Sequence, residues 1–320
     1  MRVCALWRTG PVPRLALSIR HQPHPPGAQH DRSFSPASSP DTQAFKSSVR
    51  AQWDRCATGW DHHTAAIHSW LRQPTDAMLD MAGIAPGCAV LDVAAGAGDQ
   101  TLDIARRVGP TGRVLATDLS PVILALALHN AQQAGLRNVQ TLVADGEDLA
   151  VEPTSFDAVV CRLGLMFFPD PLQGLRGMHR ALRPGGGICT MVFSRPERNP
   201  CIGILMSTAM QHAGLPARDP FTPGGLLSLG KPGLADALFG AAGFQEIATT
   251  TLDAPFHMPT ARHYLDFVRA SASPIQQILS RLSPQAANDA WADMEERLST
   301  FATPGGWVGP NELQLTAARR

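Results

Sequence analysis

The sequence predicts an α/β fold in which a mostly parallel sheet is covered by helices. From Ala85 onward, short β-rich runs alternate with helical stretches, which is typical of parallel strands joined by helices. The run at 88–93 is apolar on both faces, as expected of a strand buried between two helical layers. The run at 312–317 alternates apolar and polar residues, which indicates a half-buried strand that completes the sheet.

The elements follow one another in a regular order. We place the strands of the sheet at 88–93, 113–117, 139–143, 156–161, 187–193, 244–252 and 312–317. Helices are predicted at 99–108, 120–134, 171–182 and 231–242, and further helices within 259–300. Pro184-Gly185-Gly186-Gly187 is predicted to end a helix and to turn directly into the fifth strand.

The N-terminal part of the chain divides into two predicted segments. Residues 1–40 contain seven prolines, five arginines and a single acid, so residues 1–38 are predicted to be a disordered or non-native extension. Ser39-Pro40-Asp41 has the residue types of a helix start. An apolar stripe at three- and four-residue spacing follows, which predicts a helical cover over 39–84; its members are Phe45, Val49, Trp53, Cys56 and Trp60.

Composition excludes several classes of protein. The 27 basic and 27 acidic residues of this 320-residue chain balance, so nothing favours binding to nucleic acid. The longest apolar run, 122–128, is far shorter than the roughly 20 residues of a membrane-spanning helix. Six cysteines without a C-x-x-C pair indicate neither a zinc ribbon nor a disulfide framework, which predicts a reducing, cytoplasmic setting.

A glycine-rich loop follows the first strand. Asp92-Val-Ala-Ala-Gly96-Ala-Gly98-Asp-Gln-Thr101 opens a helix, and its glycines allow a tight turn and the close approach of a ligand to backbone N–H groups. A plain strand-to-helix turn is the alternative. Asp118 ends the second strand, twenty residues after Gly98, where a carboxylate is placed to accept both hydroxyls of a ribose. Asp145, after the third strand, suits the exocyclic amine of adenine. Three strand ends therefore converge on one nucleoside.

The form of the loop distinguishes between nucleoside ligands. The dinucleotide fingerprint places a third small residue where this chain has Thr101, and the nearby acid Asp99 disfavours a pyrophosphate. Asp92 suits an ammonium group, and the helix N-terminus near Gln100 suits a carboxylate. An amino acid joined to adenosine fits both requirements.

Taken in order, VLDVAAGAGDQT, ATDLSP, ADGEDL, FDAVVCRLGLMFF and MHRALRPGGGI resemble the motifs of class I S-adenosylmethionine-dependent methyltransferases, over about residues 85–195. The resemblance implies a Rossmann-like, seven-stranded sheet of order 3-2-1-4-5-7-6 with an antiparallel last strand. It implies a methyltransferase domain over 85–320 with a helical insertion at about 257–304. The cofactor-binding residues that it implies are Asp92, Ala94, Gly96, Ala97, Gly98, Asp118, Leu119, Asp145, Gly146, Glu147, Arg162 and Leu163, the last two through their backbones.

The most similar subgroup contains the ubiquinone and menaquinone C-methyltransferases, and it implies C- or O-methylation of a small, largely apolar acceptor. This chain departs from their Tyr-Asp-x-Met-Asn and Gly-Leu-Arg-Asn motifs, since it has Trp53-Asp54-Arg55 and Gly164-Leu165-Met166-Phe167. Two other functions stay open: a noncatalytic nucleoside-binding or regulatory protein on the same fold, and a nicotinamide-dependent oxidoreductase.

No catalytic side chain is assigned from the sequence, because methyl transfer can rely on positioning alone. Five histidines lie in segments that could flank the site: His62, His63, His68, His257 and His263. A grouping of Cys56 with His62 and His63 matches no common zinc site, so no metal is predicted. The aromatic residues Trp53, Trp60, Phe167 and Phe168 either wall an apolar acceptor pocket or belong to the core. Oligomeric state is left undetermined.

Overall fold

The computed structural model describes residues 42–271 and 273–320. The predicted extension at 1–38 and the predicted helix start at Ser39-Pro40-Asp41 lie outside these residues. The strands, in chain order, are β1 (Ala89–Val93), β2 (Arg113–Asp118), β3 (Val139–Val143), β4 (Phe156–Arg162), β5 (Leu182–Phe193), β6 (Gln245–Asp253), β7 (Phe256–Met258), β8 (Ala302–Thr303), β9 (Gly306–Gly309) and β10 (Glu312–Arg319).

A seven-stranded sheet forms the centre of the molecule, in the order β3-β2-β1-β4-β5-β10-β6. The first five of these strands run parallel to their neighbours, whereas β10 is antiparallel to both β5 and β6. Counted within this sheet, β10 is the seventh strand, so the predicted order 3-2-1-4-5-7-6 and the antiparallel last strand are confirmed. Every residue of β1 is buried, as its apolar sequence predicts for a central parallel strand.

Helices cover the sheet and fill the connections between its strands. They are α1 (Thr42–His62), α2 (Thr64–Met81), α3 (Asp99–Val108), α4 (Pro121–Gln133), α5 (Pro171–Ala181), α6 (Pro200–His212), α7 (Leu234–Ala241), α8 (Ala261–Ser271), α9 (Ser273–Leu279) and α10 (Pro284–Leu298). Three of these helices begin with the same local chemistry, a Pro at the first helical position after a capping side chain. Ser120, Asp170 and Ser283 each accept a hydrogen bond from the backbone N–H three residues later.

The helical cover joins the sheet through polar contacts as well as apolar ones. Ser120 donates to Asp54 of α1 over 2.5 Å, and Asn130 of α4 donates to Asp61 of α1 over 2.7 Å. Ala57 of α1 is fully buried against Ala97 and Ile123. Because of these contacts the cover and the sheet belong to one compact unit.

Helix α6 (Pro200–His212) was not predicted from the sequence, and two further regions differ in detail from the prediction. Strand β5 begins at Leu182 rather than at Gly187, because Leu182 already pairs with Phe156 and the glycine run then forms an irregularity in the strand, with Gly185 at a φ of +77°. The predicted helical insertion at 257–304 contains α8 to α10, but it also contributes to a small antiparallel sheet of order β7-β9-β8. These strands are two to four residues long, too short to show a period of two in the sequence.

Candidate active site

The carboxyl ends of the parallel strands β1 to β4 border one cavity of about 960 Å³, including the solvent at its mouth. Nine of the twelve predicted cofactor-binding residues line it: Ala94, Gly96, Asp118, Leu119, Asp145, Gly146, Glu147, Arg162 and Leu163. Parallel strands of an open sheet end at the same edge, so residues distant in the chain meet there. Asp92, Ala97 and Gly98 lie behind the cavity wall instead.

The glycine-rich loop bends sharply between β1 and α3. Gly96 has a φ of +58°, and its N–H donates to Oδ2 of Asp118 over 3.0 Å. Gly98 has a φ of +90° and packs against α4, where a Cβ would lie 3.0 Å from the Cα of Ala127. The two glycines therefore have different tasks, since Gly96 faces the cavity and Gly98 lets the loop pack closely on a neighbouring helix.

Asp118 lies at the end of β2 with both carboxylate oxygens in use. In addition to the bond from Gly96, Oδ1 accepts from the N–H of Ser120 over 2.9 Å. Burial raises the pKa of Asp118 to about 6, although the backbone N–H donors oppose this rise. A carboxylate oxygen can accept two hydrogen bonds. Asp118 therefore fixes the loop and keeps acceptor capacity for a ligand in the cavity.

Asp92 is fully buried beneath the loop and does not reach the cavity. Its oxygens accept from the Thr101 hydroxyl over 2.5 Å and from the Gln100 amide over 3.2 Å. Burial raises its pKa to about 6, against the effect of these two donors. Gln100 itself lines the cavity, so Asp92 acts on the site by orienting the first turn of α3.

Lys46 is a cavity residue that the sequence analysis did not identify. Its Nζ lies 2.6 Å from Oδ2 of Asp145 and 2.5 Å from Oε2 of Glu147. Burial alone would lower the pKa of Lys46, but its bonds to the two carboxylates raise it. The N–H of Glu147 donates to Oδ1 of Asp145, and the N–H of Asp170 donates to the side chain of Glu147. Since Lys46 is on α1, the cover is anchored by ion pairs to the loop that follows β3.

Arg162 contributes a buried positive charge to the cavity wall, where the sequence predicted only backbone contacts. Its guanidinium lies 2.8 Å from Oδ2 of Asp99 and donates to the Thr75 hydroxyl over 2.9 Å. His68 binds the other oxygen of Asp99 over 2.9 Å. Asp99 is the first residue of α3, so this network fixes the start of that helix beside the glycine-rich loop. Leu163, the next residue, has a φ of +56°.

A second, almost wholly apolar cavity of about 680 Å³, including the solvent at its mouth, adjoins the first. The two cavities share Trp53, Trp60, Leu163 and Phe167 as wall residues. Trp53 contacts both Trp60 and Phe167 edge-on, at ring-centroid distances of 5.6 and 6.0 Å. Phe168 lines the first cavity only, where its ring fits against two glycines, Gly146 and Gly174. Of the two interpretations of these aromatic residues, the geometry favours the pocket wall. We call the second space the acceptor cavity.

The histidines lie elsewhere. In the part of the chain that the structure describes, no histidine lines either cavity. His63 packs against Phe267 and its Nδ1 lies 2.8 Å from the carbonyl of Gly59, while His257 borders a separate cleft between α2 and β7. Within residues 42–271 and 273–320, no group of three or more His, Cys, Asp or Glu side chains is arranged to hold a metal ion. The five cysteines in these ranges are all free thiols.

Comparison with known proteins identifies the family. The model of the ubiE/COQ5 methyltransferase family matches residues 45–209, more than half of the chain. The ubiquinone/menaquinone biosynthesis C-methyltransferase of Hahella chejuensis is 37% identical over 125 residues, which cover 39% of this chain and 50% of that protein. The corresponding enzyme of Idiomarina loihiensis is 35% identical over 119 residues, or 37% and 47% of the two chains. This chain therefore spans about half the length of the curated relatives it matches.

Solved structures share the fold at low sequence identity. The YcgJ protein of Bacillus subtilis is 19% identical and superposes with a TM-score of 0.52, covering 78% of this chain and 98% of its own. The [4+2]-cyclase SpnF is 20% identical with a TM-score of 0.50, covering 84% and 96%. Because one of these proteins is a cyclase, the likeness of fold does not by itself specify methyl transfer. The match to the family model is what assigns the sequence: this chain belongs to the ubiE/COQ5 methyltransferase family.

Proposed function

We propose that this protein is an S-adenosylmethionine-dependent methyltransferase that transfers a methyl group to carbon or oxygen of a small, largely apolar molecule. The observation that carries this proposal is the pair of adjoining cavities. One is lined by the carboxylates and the glycine-rich loop at the strand ends, and the other is apolar, and they meet at Trp53, Trp60 and Phe167.

The residues of the first cavity fit S-adenosylmethionine part by part. Asp118 has free acceptor positions for the two ribose hydroxyls, and Asp145 with the backbone at Gly146 suits an adenine. The turn at Gly96 leaves room for the methionine part, and the first turn of α3, where Gln100 lines the cavity, suits its carboxylate. Asp92 supports the part of the cavity proposed for the methionine, because it holds the side chains of Gln100 and Thr101 in the first turn of α3.

When bound, S-adenosylmethionine supplies an electrophilic methyl group on a sulfonium centre. The wall of Trp53, Trp60 and Phe167 then orients the acceptor and keeps water away from the junction of the two cavities. In-line positioning and exclusion of water supply much of the acceleration of such a transfer. A histidine base is not required by this arrangement, in keeping with the absence of histidines from both cavity walls in the described ranges.

The curated relatives are named for ubiquinone and menaquinone biosynthesis, which supports an acceptor with an apolar ring. Met166 and Phe167 stand where the sequence departs from the quinone enzymes, and both line the acceptor cavity. The polar groups of that loop are therefore replaced by apolar ones. For this reason the compounds tested as methyl acceptors have to include phenols and amines beside quinols.

The two other functions are less well supported. A nicotinamide dinucleotide requires a loop that accepts a pyrophosphate, whereas here Asp99 is buried beside the loop and paired with Arg162. A noncatalytic nucleoside-binding protein does not require the second, apolar cavity. We further propose a cytoplasmic location, supported by the free thiols of the described cysteines, and no nucleic-acid partner, supported by the balanced charge. No helix of the described residues has the length and apolar character needed to cross a membrane.

Calorimetry with S-adenosylmethionine and, separately, with NADH tests the cofactor assignment. Incubation with methyl-labelled S-adenosylmethionine and a panel of quinols, phenols and amines then tests catalysis through formation of S-adenosylhomocysteine and a labelled product. We expect binding of S-adenosylmethionine alone and turnover of at least one apolar acceptor. Binding of NADH in its place contradicts the proposal, and binding without turnover of any acceptor supports the noncatalytic alternative.

A further inference from the structure

We propose that the hydroxyl of Tyr264 donates a hydrogen bond to an uncharged oxygen acceptor of the substrate, such as a carbonyl, inside the acceptor cavity. This inference rests on the proposed function and specifies the substrate class of the same site: an apolar molecule that carries an oxygen acceptor and no net charge. Tyr264 is on α8 and lines the acceptor cavity but not the cofactor cavity. It would thus bind the substrate on a part of the wall that the two cavities do not share.

The ring of Tyr264 is held firmly from two sides. It stacks on Trp307 at a centroid distance of 4.8 Å and contacts Phe256 at 5.0 Å, and the residue is only 3% exposed. A phenylalanine would make the same ring contacts. The chain contains twelve phenylalanines and a single tyrosine, so the hydroxyl at this position requires its own explanation.

The hydroxyl has no hydrogen-bond partner among the residues that the structure describes, although buried polar groups are nearly always paired. The other polar side chains on the part of the wall that the two cavities do not share are already paired: the Trp70 indole donates to the carbonyl of Ala254 over 2.8 Å, and the Ser271 hydroxyl donates to the carbonyl of Phe267 over 2.6 Å. The indole N–H of Trp60 lies near Gly96, on the cofactor side. Tyr264 therefore offers a donor on this part of the wall that no other described residue uses.

The chemistry of the cavity limits what this donor can meet. All residues that line the acceptor cavity are uncharged, so an ammonium or carboxylate group would lose its hydration there without a compensating charge. Burial raises the pKa of Tyr264 well above its usual value, so the hydroxyl keeps its proton and can donate. An uncharged oxygen on an apolar ligand satisfies both conditions.

Binding of two isosteric probes to the parent protein and to Tyr264→Phe tests the inference. The ketone acetylnaphthalene carries an oxygen acceptor, and isopropenylnaphthalene, substituted at the same ring position, has a CH₂ group in its place. We expect the Phe variant to lose a factor of about 3 to 10 in affinity for the ketone, as measured by equilibrium dialysis, and to keep its affinity for the hydrocarbon. Its thermal stability should be equal or higher, because no internal hydrogen bond is lost.

Phe267→Leu is the matched control, because it changes the shape of the same cavity without changing its donors. Both affinities should fall together in this variant, and their ratio should stay that of the parent. The inference is overturned if the ratio is the same in Tyr264→Phe and the parent, if Phe267→Leu changes it equally, if Tyr264→Phe is less stable, or if the parent binds neither probe. Since no methyl transfer is needed, these outcomes are independent of failure to bind or turn over S-adenosylmethionine.

Discussion

Replacing Asp118 with alanine is the most informative single perturbation of the cofactor cavity. The carboxylate accepts two internal hydrogen bonds, from the N–H groups of Gly96 and Ser120, and we propose that it also accepts the ribose hydroxyls. Hydrogen bonds to a charged group are worth about 1.5–3 kcal/mol. Asp118→Ala should therefore weaken S-adenosylmethionine binding roughly 10- to 150-fold, at about 1.4 kcal/mol per factor of ten.

The structure adds a stability effect to this prediction, because the two backbone N–H groups lose their acceptor. We expect the free energy of unfolding to fall by about 1–3 kcal/mol in Asp118→Ala and by less in Asp118→Asn, which keeps one acceptor oxygen. Binding is measured by calorimetry and stability by urea denaturation at pH 7.5, above the pKa of about 6. The same reasoning predicts weaker cofactor binding as the pH falls through 6, because protonation removes acceptor capacity.

Asp219→Ala is the matched control, because the carboxylate of Asp219 accepts from the N–H of Phe221 over 2.9 Å in an exposed loop outside the cavity walls. Like the bond from Ser120 to Asp118, this bond joins residues two positions apart in the chain, but Asp219 has no proposed contact with the ribose. Cofactor affinity should be unchanged in this variant. If Asp118→Ala binds S-adenosylmethionine as tightly as the parent does, the assignment of the ribose to the end of β2 is wrong.

Three further predictions follow from the site. Gly98→Val should lose several kcal/mol of stability, because its side chain would clash with Ala127 and its backbone has a φ of +90°. An unchanged free energy of unfolding, measured by urea denaturation, would refute this packing role of Gly98. Lys46→Met should speed amide hydrogen exchange in the first turns of α1 at least about fivefold, since an ion pair with Asp145 worth about 1 kcal/mol is lost; unchanged exchange would show that apolar contacts alone hold the cover. The pKa of Asp92 is raised from 3.8 to about 6, so the folded state binds the proton more tightly and stability falls as the pH rises from about 4 to 6, by about 3 kcal/mol. Asp92→Asn should remove that part of the pH dependence in urea titrations at pH 4 and 7, and an unchanged slope would contradict the assignment.

The strand ends illustrate how far the sequence leads. Asp118 and Asp145 could be placed beside the glycine-rich loop because parallel strands of one sheet end at the same edge, whatever the length of chain between them. The same rule could not separate Gly96 from Gly98. Which of two neighbouring glycines faces a ligand depends on the position of α4, and Ala127 lies 29 residues further along the chain.

Apart from α6 and the short strands β7 to β9, the sequence by itself determined the order of strands and helices, the loop after β1 and the acids at the next two strand ends, because each depends on local periodicity or on the geometry of a parallel sheet. Only the tertiary structure decided that Lys46 reaches Asp145 across 99 residues of chain and that Tyr264 lines a cavity between elements distant in sequence. Side-chain pairing across such distances follows from how helices pack on the sheet, and packing depends on shape and volume that no local pattern of residues encodes.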